Sequence, residues 1–290
     1  SRIVRESGIK VALAGTGGDE LFGGYRSFAE LPRLRRVAGL CRFAPSSLIR
    51  AAAALATRIQ TGPPGEVPPQ TRWGKLSDAL TSGGQLLDLY QIAYGLFTRD
   101  FLGQLARAPE CGSMRSGLSA NTAERLADLI RGDSDLAAIS KLEMSLFLGE
   151  RLLRDTDAAS MAVSLEARVP FLDHELIEAV CGLDDRIRFE PMGRKQLLRT
   201  IGLKGLDPAI FDRPKSGFVL PLDVWCRSTF RDQVNDVFMD EGLCRQVGID
   251  QATLLRLWRS FESGVHGLYW SRVWSVFILM RWCKAHAVSL

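Results

Sequence analysis

The chain is 290 residues long, 46% hydrophobic and 24% charged, with a formal net charge of +4. That is long enough to bury a sizeable core as one large or two small domains, and the balance is ordinary for a soluble globular protein. Six cysteines without a Cys-x-x-Cys pair and three histidines argue against a zinc site. The scattered arginines do not indicate a nucleic-acid surface.

In chain order, Lys10 to Ala14 reads as a short buried strand. Gly15-Thr16-Gly17-Gly18 turns the chain with little side-chain bulk, Asp19 and Glu20 follow, and a helix is expected from near Gly24. Arg26 to Leu40 carries apolar residues at helical intervals. Ser46 or Ser47 caps a helix to about Arg58, whose Ala51 to Ala54 run has high helix propensity. Thr61 to Gly74, rich in proline and glycine, reads as a loop. Leu86, Leu87, Tyr90, Tyr94 and Phe97 mark an amphipathic helix, and Thr98 caps the next, through Leu105. Pro109 to Gly117 is a break. Asn121 to Glu124 resembles a capping box that opens a helix to Arg131. Asp133 to Gly149 is a further helix, with Leu136, Ile139, Leu142, Leu146 and Phe147 facing inward. Gly193 to Ile201 is helical and carries Lys195.

The aromatics from Trp225 to Trp282 recur at helical spacing, as in 258–261 and 270–274–277, which points to core packing rather than base stacking. Val273 to Cys283, the most apolar stretch, is interrupted by Arg281 and too short to span a bilayer. Ser1 opens no signal-peptide pattern. Several cysteines lie in apolar helical stretches, so buried free thiols in a reducing cytoplasm are expected. The segment should be mainly α-helical, with one strand and a second short one.

Chemistry concentrates at the glycine turn. Glycines there permit positive φ and let backbone amides approach a ligand, and consecutive amides can form an anion-binding concavity. A carboxylate beside such a turn repels phosphate unless a divalent cation lies between them. The turn therefore reads either as a Mg²⁺–phosphate or acyl-phosphate site, or as an ordinary strand-to-helix turn with glycines for packing and Asp19 as a cap. Glu20 fits a supporting partner or simple charge complementarity at a helix start. From its residue type alone, Lys195 reads as a solvated helix lysine. Asp155 and Asp157 are near-neighbours able to bind a metal or orient an amine. Arg168 and Asp173 suit a structural ion pair or backbone hydrogen bonds, and His174 caps or packs.

Gly15-x-Gly-Gly-Asp-Glu-Leu-Phe-Gly-Gly-Tyr25 resembles an ATP-site loop of glutamine-dependent asparagine synthetases, the asparagine synthase family. Two later blocks resemble the same family in the same order. One is Arg154-Asp-Thr-Asp157 through Ser160-Met161 and Glu166-Ala-Arg168-Val-Pro-Phe-Leu-Asp-His174. The other is Gly193-Arg-Lys195-Gln-Leu-Leu-Arg199 with Arg213-Pro-Lys-Ser-Gly-Phe218 and Pro221-Leu-Asp-Val-Trp225.

The resemblance implies an α/β fold of the adenine-nucleotide α-hydrolase-like type, with a Rossmann-like sheet. It implies ATP and Mg²⁺, activation of L-aspartate as an aspartyl-adenylate, and transfer to ammonia released from glutamine. Small-molecule substrates, no nucleic-acid or membrane partner, a homodimer and a cytoplasmic location go with it. Asp19 would hold Mg²⁺, Gly15, Gly17 and Gly18 would frame the loop near the acyl centre, and Lys195 would reach the α-phosphate. Lys215 would lie on a loop brought toward the site. Thr16 departs from the pattern, because the family usually has an acidic residue there; threonine donates and accepts hydrogen bonds but is no base near neutral pH. Neither the family's Ser-Gly-Gly-x-Asp-Ser pyrophosphate loop nor its glutaminase nucleophile occurs in these 290 residues, and Ser82-Gly-Gly-Gln85 is no substitute. The chain therefore reads as the C-terminal part, residues 1–290, of an asparagine synthetase domain. The alternatives are a degenerate or regulatory relative, and an amidotransferase for another carboxylate in a polysaccharide or natural-product pathway.

Overall fold

The computed structural model describes residues 1–63, 65–106, 114, 115, 117–207 and 220–289. They fold mainly into helices with few strands. Two compact units result: Ser1–Arg35 with Asn121–Pro214, and Arg36–Ala120 with Lys215–Leu290.

In the first unit the strand Val11–Leu13 lies parallel to Glu166–Arg168, with Val11 opposite Glu166, Ala12 opposite Ala167 and Leu13 opposite Arg168. The amide of Ala14 donates to the Arg168 carbonyl at 2.8 Å, carrying the pairing one step into the glycine turn. This strand is shorter than expected and is not buried, since Val11 is 40% and Leu13 75% exposed. Parallel strands are usually covered on both faces. Here the one partner strand contributes the exposed Glu166 and Arg168, which pair with each other at 2.8 Å rather than shielding the apolar residues beside them.

Gly17, at φ 101°, caps a five-residue helix, Gly18–Phe22, and Gly23, at φ 68°, ends it. Asp19 and Glu20 thus lie inside a helix, where the sequence predicts one only from near Gly24; the next helix starts at Ser27. Five residues cannot hold a helix alone. Leu21 and Phe22 hold this one by burial with Val180 in a cluster flanked by Met144, Phe171, Leu176, Ile177, Leu197 and Leu198. Each fully buried side chain of this kind contributes about 1.5–3 kcal/mol.

The expected helix after Asp133 is longer and changes pitch. Asp135–Leu142 is α-helical and capped by Ser134, whose hydroxyl accepts from the Ala137 amide at 3.1 Å. Glu143–Leu152 winds as a π-helix before Leu153–Met161 returns to α. Ile139 and Leu142 are buried as expected, but Leu148 replaces Leu146 and Phe147 as the next buried apolar position. The wider π turn shifts the inward face, which a 3.6-residue period does not anticipate.

The second unit is built around Phe238, Leu254, Leu257, Trp258, Phe261, Val273, Phe277 and Met280, all almost fully buried. They come from the helices Arg231–Met239, Gln251–Glu262 and Trp270–His286. The aromatic series is core, as its spacing indicated, with Trp258 stacked on Phe261 at 5.9 Å between centroids and its indole N–H donating to Asn235 Oδ1 at 2.6 Å. Tyr269 and Trp282 are half exposed. Thr98 caps Arg99–Leu105 as expected, accepting from the Phe101 amide at 3.3 Å. Ser46 begins its helix without capping it, and the helix runs on to Thr61. The helix near Asn121 starts a residue earlier, at Ala120. Lys75 is buried, and its ammonium donates to the carbonyls of Ile92, Ala93 and Gly95 at 2.6, 2.9 and 2.7 Å, closing the C-terminal end of the helix Leu86–Tyr94. A hairpin of Met114–Arg115 with Leu118–Ser119 adds two short strands.

Cys226, Cys244 and Cys283 are buried free thiols, Cys41 is half-buried and Cys181 exposed, while Cys111 lies outside the described residues. No described helix is long and apolar enough to cross a membrane.

Candidate active site

The first unit brings two predicted site residues together. Lys195 Nζ lies 3.0 Å from Asp19 Oδ1. The contact follows from packing, because Leu197 and Leu198 pack against the cluster of Leu21 and Phe22. Lys195 is not on its helix, as the sequence reading had it. It is the N-cap of Gln196–Gly202 and adopts left-handed φ 50°, ψ 49°. That conformation is costly for a residue with a Cβ, and it sets the lysine at the point where the chain turns beside Asp19.

The glycines serve different ends. A Cβ on Gly17 would meet Leu172 at 2.7 Å and Phe171 at 3.2 Å, and its φ is positive as well, so this glycine is required by the fold. Gly18 is buried, and a Cβ on it would find neighbours at 3.6 Å, an ordinary contact. Gly15 is exposed, has nothing within 4 Å of a Cβ position and has no positive φ. Nothing in the packing requires glycine there; its effect is to leave the main chain open to an approaching group. Thr16 is half-buried in the turn between Gly15 and Gly17. Gly24 is shaped by Asp19, since a Cβ on it would stand 1.7 Å from Asp19 Oδ1.

Asp19 and Glu20, adjacent in sequence, diverge. Glu20 is buried, and its Oε1 accepts from the Tyr25 hydroxyl at 2.8 Å. Burial and then the Glu20 bond push the Tyr25 hydroxyl above the ordinary phenol range. Glu20 is therefore committed to the interior. Asp19 remains 36% and Lys195 25% exposed at the side chain, so the pair faces solvent across the glycine turn. Oδ1 of Asp19 is enclosed, yet has no donor in hydrogen-bond alignment even with Lys195 at 3.0 Å. A carboxylate oxygen left in that state fits an oxygen-seeking cation. Among the described residues no cluster of three His, Cys, Asp or Glu could hold a metal.

Other candidates lie elsewhere. Asp155 and Asp157 are exposed on Leu153–Met161. Arg168 pairs with Glu166. Asp173 caps His174–Cys181, accepting from the Glu175 and Leu176 amides at 3.0 and 3.3 Å, and His174 is the exposed first residue of that helix. Lys215, with Arg213 to Phe218, falls outside the described residues. Two groups at the site had no sequence signal, Ser140 and Arg188. The Ser140 hydroxyl donates to the Glu20 carbonyl at 2.8 Å, and Arg188 Nε donates to the Leu21 carbonyl at 2.7 Å. Arg188 stands in an ordinary charged run, and nothing in that run announces burial.

The asparagine synthase family model matches residues 1–284, and the chain belongs to that family. A Mycobacterium tuberculosis protein provisionally named a glutamine-hydrolysing asparagine synthetase is 27% identical over 97% of the chain and 39% of its own length. Glutamine-hydrolysing asparagine synthetase 1 of Bacillus subtilis is 23% identical over 97% of the chain and 41% of its own length. Glutamine-hydrolysing asparagine synthetase 2 of the same organism is 40% identical over 23% of the chain. The chain thus spans about two fifths of the relatives that it matches along its length. No solved structure matches it.

Proposed function

We propose that the chain is the C-terminal part of an ATP-dependent amide-forming ligase that activates L-aspartate as an adenylate and passes it to glutamine-derived ammonia, yielding L-asparagine. The observation that carries this reading is the Asp19–Lys195 pair at 3.0 Å on an open glycine turn, in a chain that the asparagine synthase model matches from residue 1 to 284. On this reading the exposed strand Val11–Leu13 belongs to a larger parallel sheet.

Each residue then has a task that its geometry supports. Gly15 leaves the backbone open for the nucleotide. Lys195 supplies positive charge where negative charge grows on the phosphate and the acyl centre, an electrostatic contribution of a few kcal/mol for a well-placed donor. Asp19 would hold Mg²⁺, which neutralises phosphate charge when bound. Threonine at residue 16 can hydrogen-bond the reacting group but not deprotonate it, so ammonia has to arrive uncharged or lose its proton elsewhere. The buried free thiols of Cys226, Cys244 and Cys283 accord with a reducing compartment such as the cytoplasm.

The test is aspartate-dependent exchange of pyrophosphate into ATP by the full-length protein. Exchange is expected and should fall by about 10²-fold or more in Asp19→Ala. Exchange driven by another carboxylate and not by aspartate would move the substrate assignment. No exchange with any acid would remove the ligase reading.

A further inference from the structure

The loop helix Gly18–Phe22 is too short to fix its own direction, yet Asp19 has to point at Lys195 while Glu20 points inward. The last carbonyls of a helix have no partner within it, and here three of them are held from outside. The carbonyl of Asp19 accepts from the Gly24 amide at 2.8 Å, that of Glu20 from the Ser140 hydroxyl at 2.8 Å, and that of Leu21 from Arg188 Nε at 2.7 Å. Arg188 Nη2 also donates to Ser140 Oγ at 2.5 Å, which joins the two anchors into one clamp. The guanidinium lies over the Phe189 ring at 4.7 Å, and that ring packs on Phe28 at 5.4 Å. A Cβ on Gly23, the residue ending the helix, would reach Phe189 at 2.9 Å.

Arg188 is 3% and Ser140 0% exposed. Burial holds the Arg188 guanidinium below its ordinary range, with Cys181 and Asp185 only offsetting it. A buried cation is costly unless its position is used, and a cation at a helix C-terminus is favourably placed against the helix dipole. The Tyr25 hydroxyl donates to Glu20 Oε1 at 2.8 Å and adds a side-chain tether to the same helix.

We propose that Arg188, acting with Ser140 on the carbonyls of Leu21 and Glu20, is a positioning residue that aims Asp19 at the cation of a bound metal–nucleotide. The proposal rests on the reading of Asp19 as the metal-binding carboxylate. Arg188 touches neither metal nor nucleotide; it sets the rotation of the helix on which Asp19 stands.

The full-length protein tests this with ATP as the probe, by titrating Mg²⁺ and recording the Mg²⁺ concentration at half-maximal ATP binding. Arg188→Met keeps the length and removes the donors, Arg188→Lys keeps charge without the fork, and Ser140→Ala removes the second anchor. Lys75→Met, in the other unit, controls for lost stability. In Arg188→Met the half-saturating Mg²⁺ concentration should rise about tenfold, the low end of the loss in metal affinity when a residue that orients a ligand is removed. Arg188→Lys should lie in between, Ser140→Ala should shift it in the same direction, and Lys75→Met should leave it unchanged. If Arg188→Met does not fold, Arg188→Lys and Ser140→Ala decide. An unchanged Mg²⁺ midpoint in the folded clamp variants, with a large shift in Asp19→Asn, overturns the positioning role while the site reading stands. No shift in Asp19→Asn overturns the site reading itself, and the clamp proposal with it.

Discussion

Gly24 separates the role of the Asp19 carboxylate from the backbone that carries it. Gly24 has no positive φ, so alanine can adopt its conformation. A Cβ there would meet Asp19 Oδ1 at 1.7 Å, Cγ at 2.6 Å and Cβ at 2.9 Å. To restore a contact of 3.0 Å, Oδ1 must retreat by about 1.3 Å. That displacement is enough to break the 3.0 Å approach to Lys195. Losing a partly exposed pair of this kind costs about 0–1 kcal/mol, and crowding Asp19 Cγ and Cβ costs about 1–3 kcal/mol more, so Gly24→Ala should fold but unfold more easily than the parent. Function should suffer as well, because a shift of about 1 Å in a reacting constellation costs about 10²-fold. In the full-length protein, Gly24→Ala should therefore lower pyrophosphate exchange about 100-fold. In an Asp19→Ala background the same change should cost little further, since Oδ1 and Cγ are gone and only the Cβ, at 2.9 Å, is left to crowd. Additive losses in that double-mutant cycle would refute the reasoning, because neighbours acting through one contact should couple strongly. Full activity in Gly24→Ala would refute it too, by showing that the carboxylate position is immaterial.

Lys195→Gly and Lys195→Ala should both lower kcat and kcat/KM together, since the amine acts on charge that develops in the transition state. The glycine variant should be more stable than the alanine variant by about 1 kcal/mol, as it relieves the left-handed backbone; equal denaturant midpoints would contradict the φ of 50°. Lys75 gives a pH signature. Burial, with Arg272 adding repulsion, lowers its pKa from 10.5 to about 8. Between those values the unfolded chain holds the proton that the folded chain has lost, so stability should rise with pH by at most about 1.4 kcal/mol per unit. Below the folded value the contribution is flat. Denaturant midpoints at pH 7.5 and 9.5 check this against Lys75→Met, and an equal pH response in the two proteins would reject it.

Local chemistry made much of this protein legible in its sequence. The glycine turn after a strand, the cap at Thr98 and the helical spacing of the C-terminal aromatics each rest on residues close together in the chain, and each stands in the structure. The family resemblance, not residue type, marked Lys195 as a candidate, and it gave Asp19 its metal-binding role. Their meeting at 3.0 Å was decided by tertiary packing, because Leu197 and Leu198 dock beside Leu21 and Phe22 from some 175 residues away. Tertiary contacts also turned Glu20 inward onto Tyr25 and left Asp19 outside, a division that two adjacent acids cannot announce. The short helix Gly18–Phe22 was missed because what holds it lies far away in sequence, in the cluster that buries Leu21 and Phe22 and in the bonds from Ser140 and Arg188. The exposed Val11–Leu13 strand was read as buried for a related reason. Apolar side chains state a preference for cover, and only the neighbours present in space decide whether it is met.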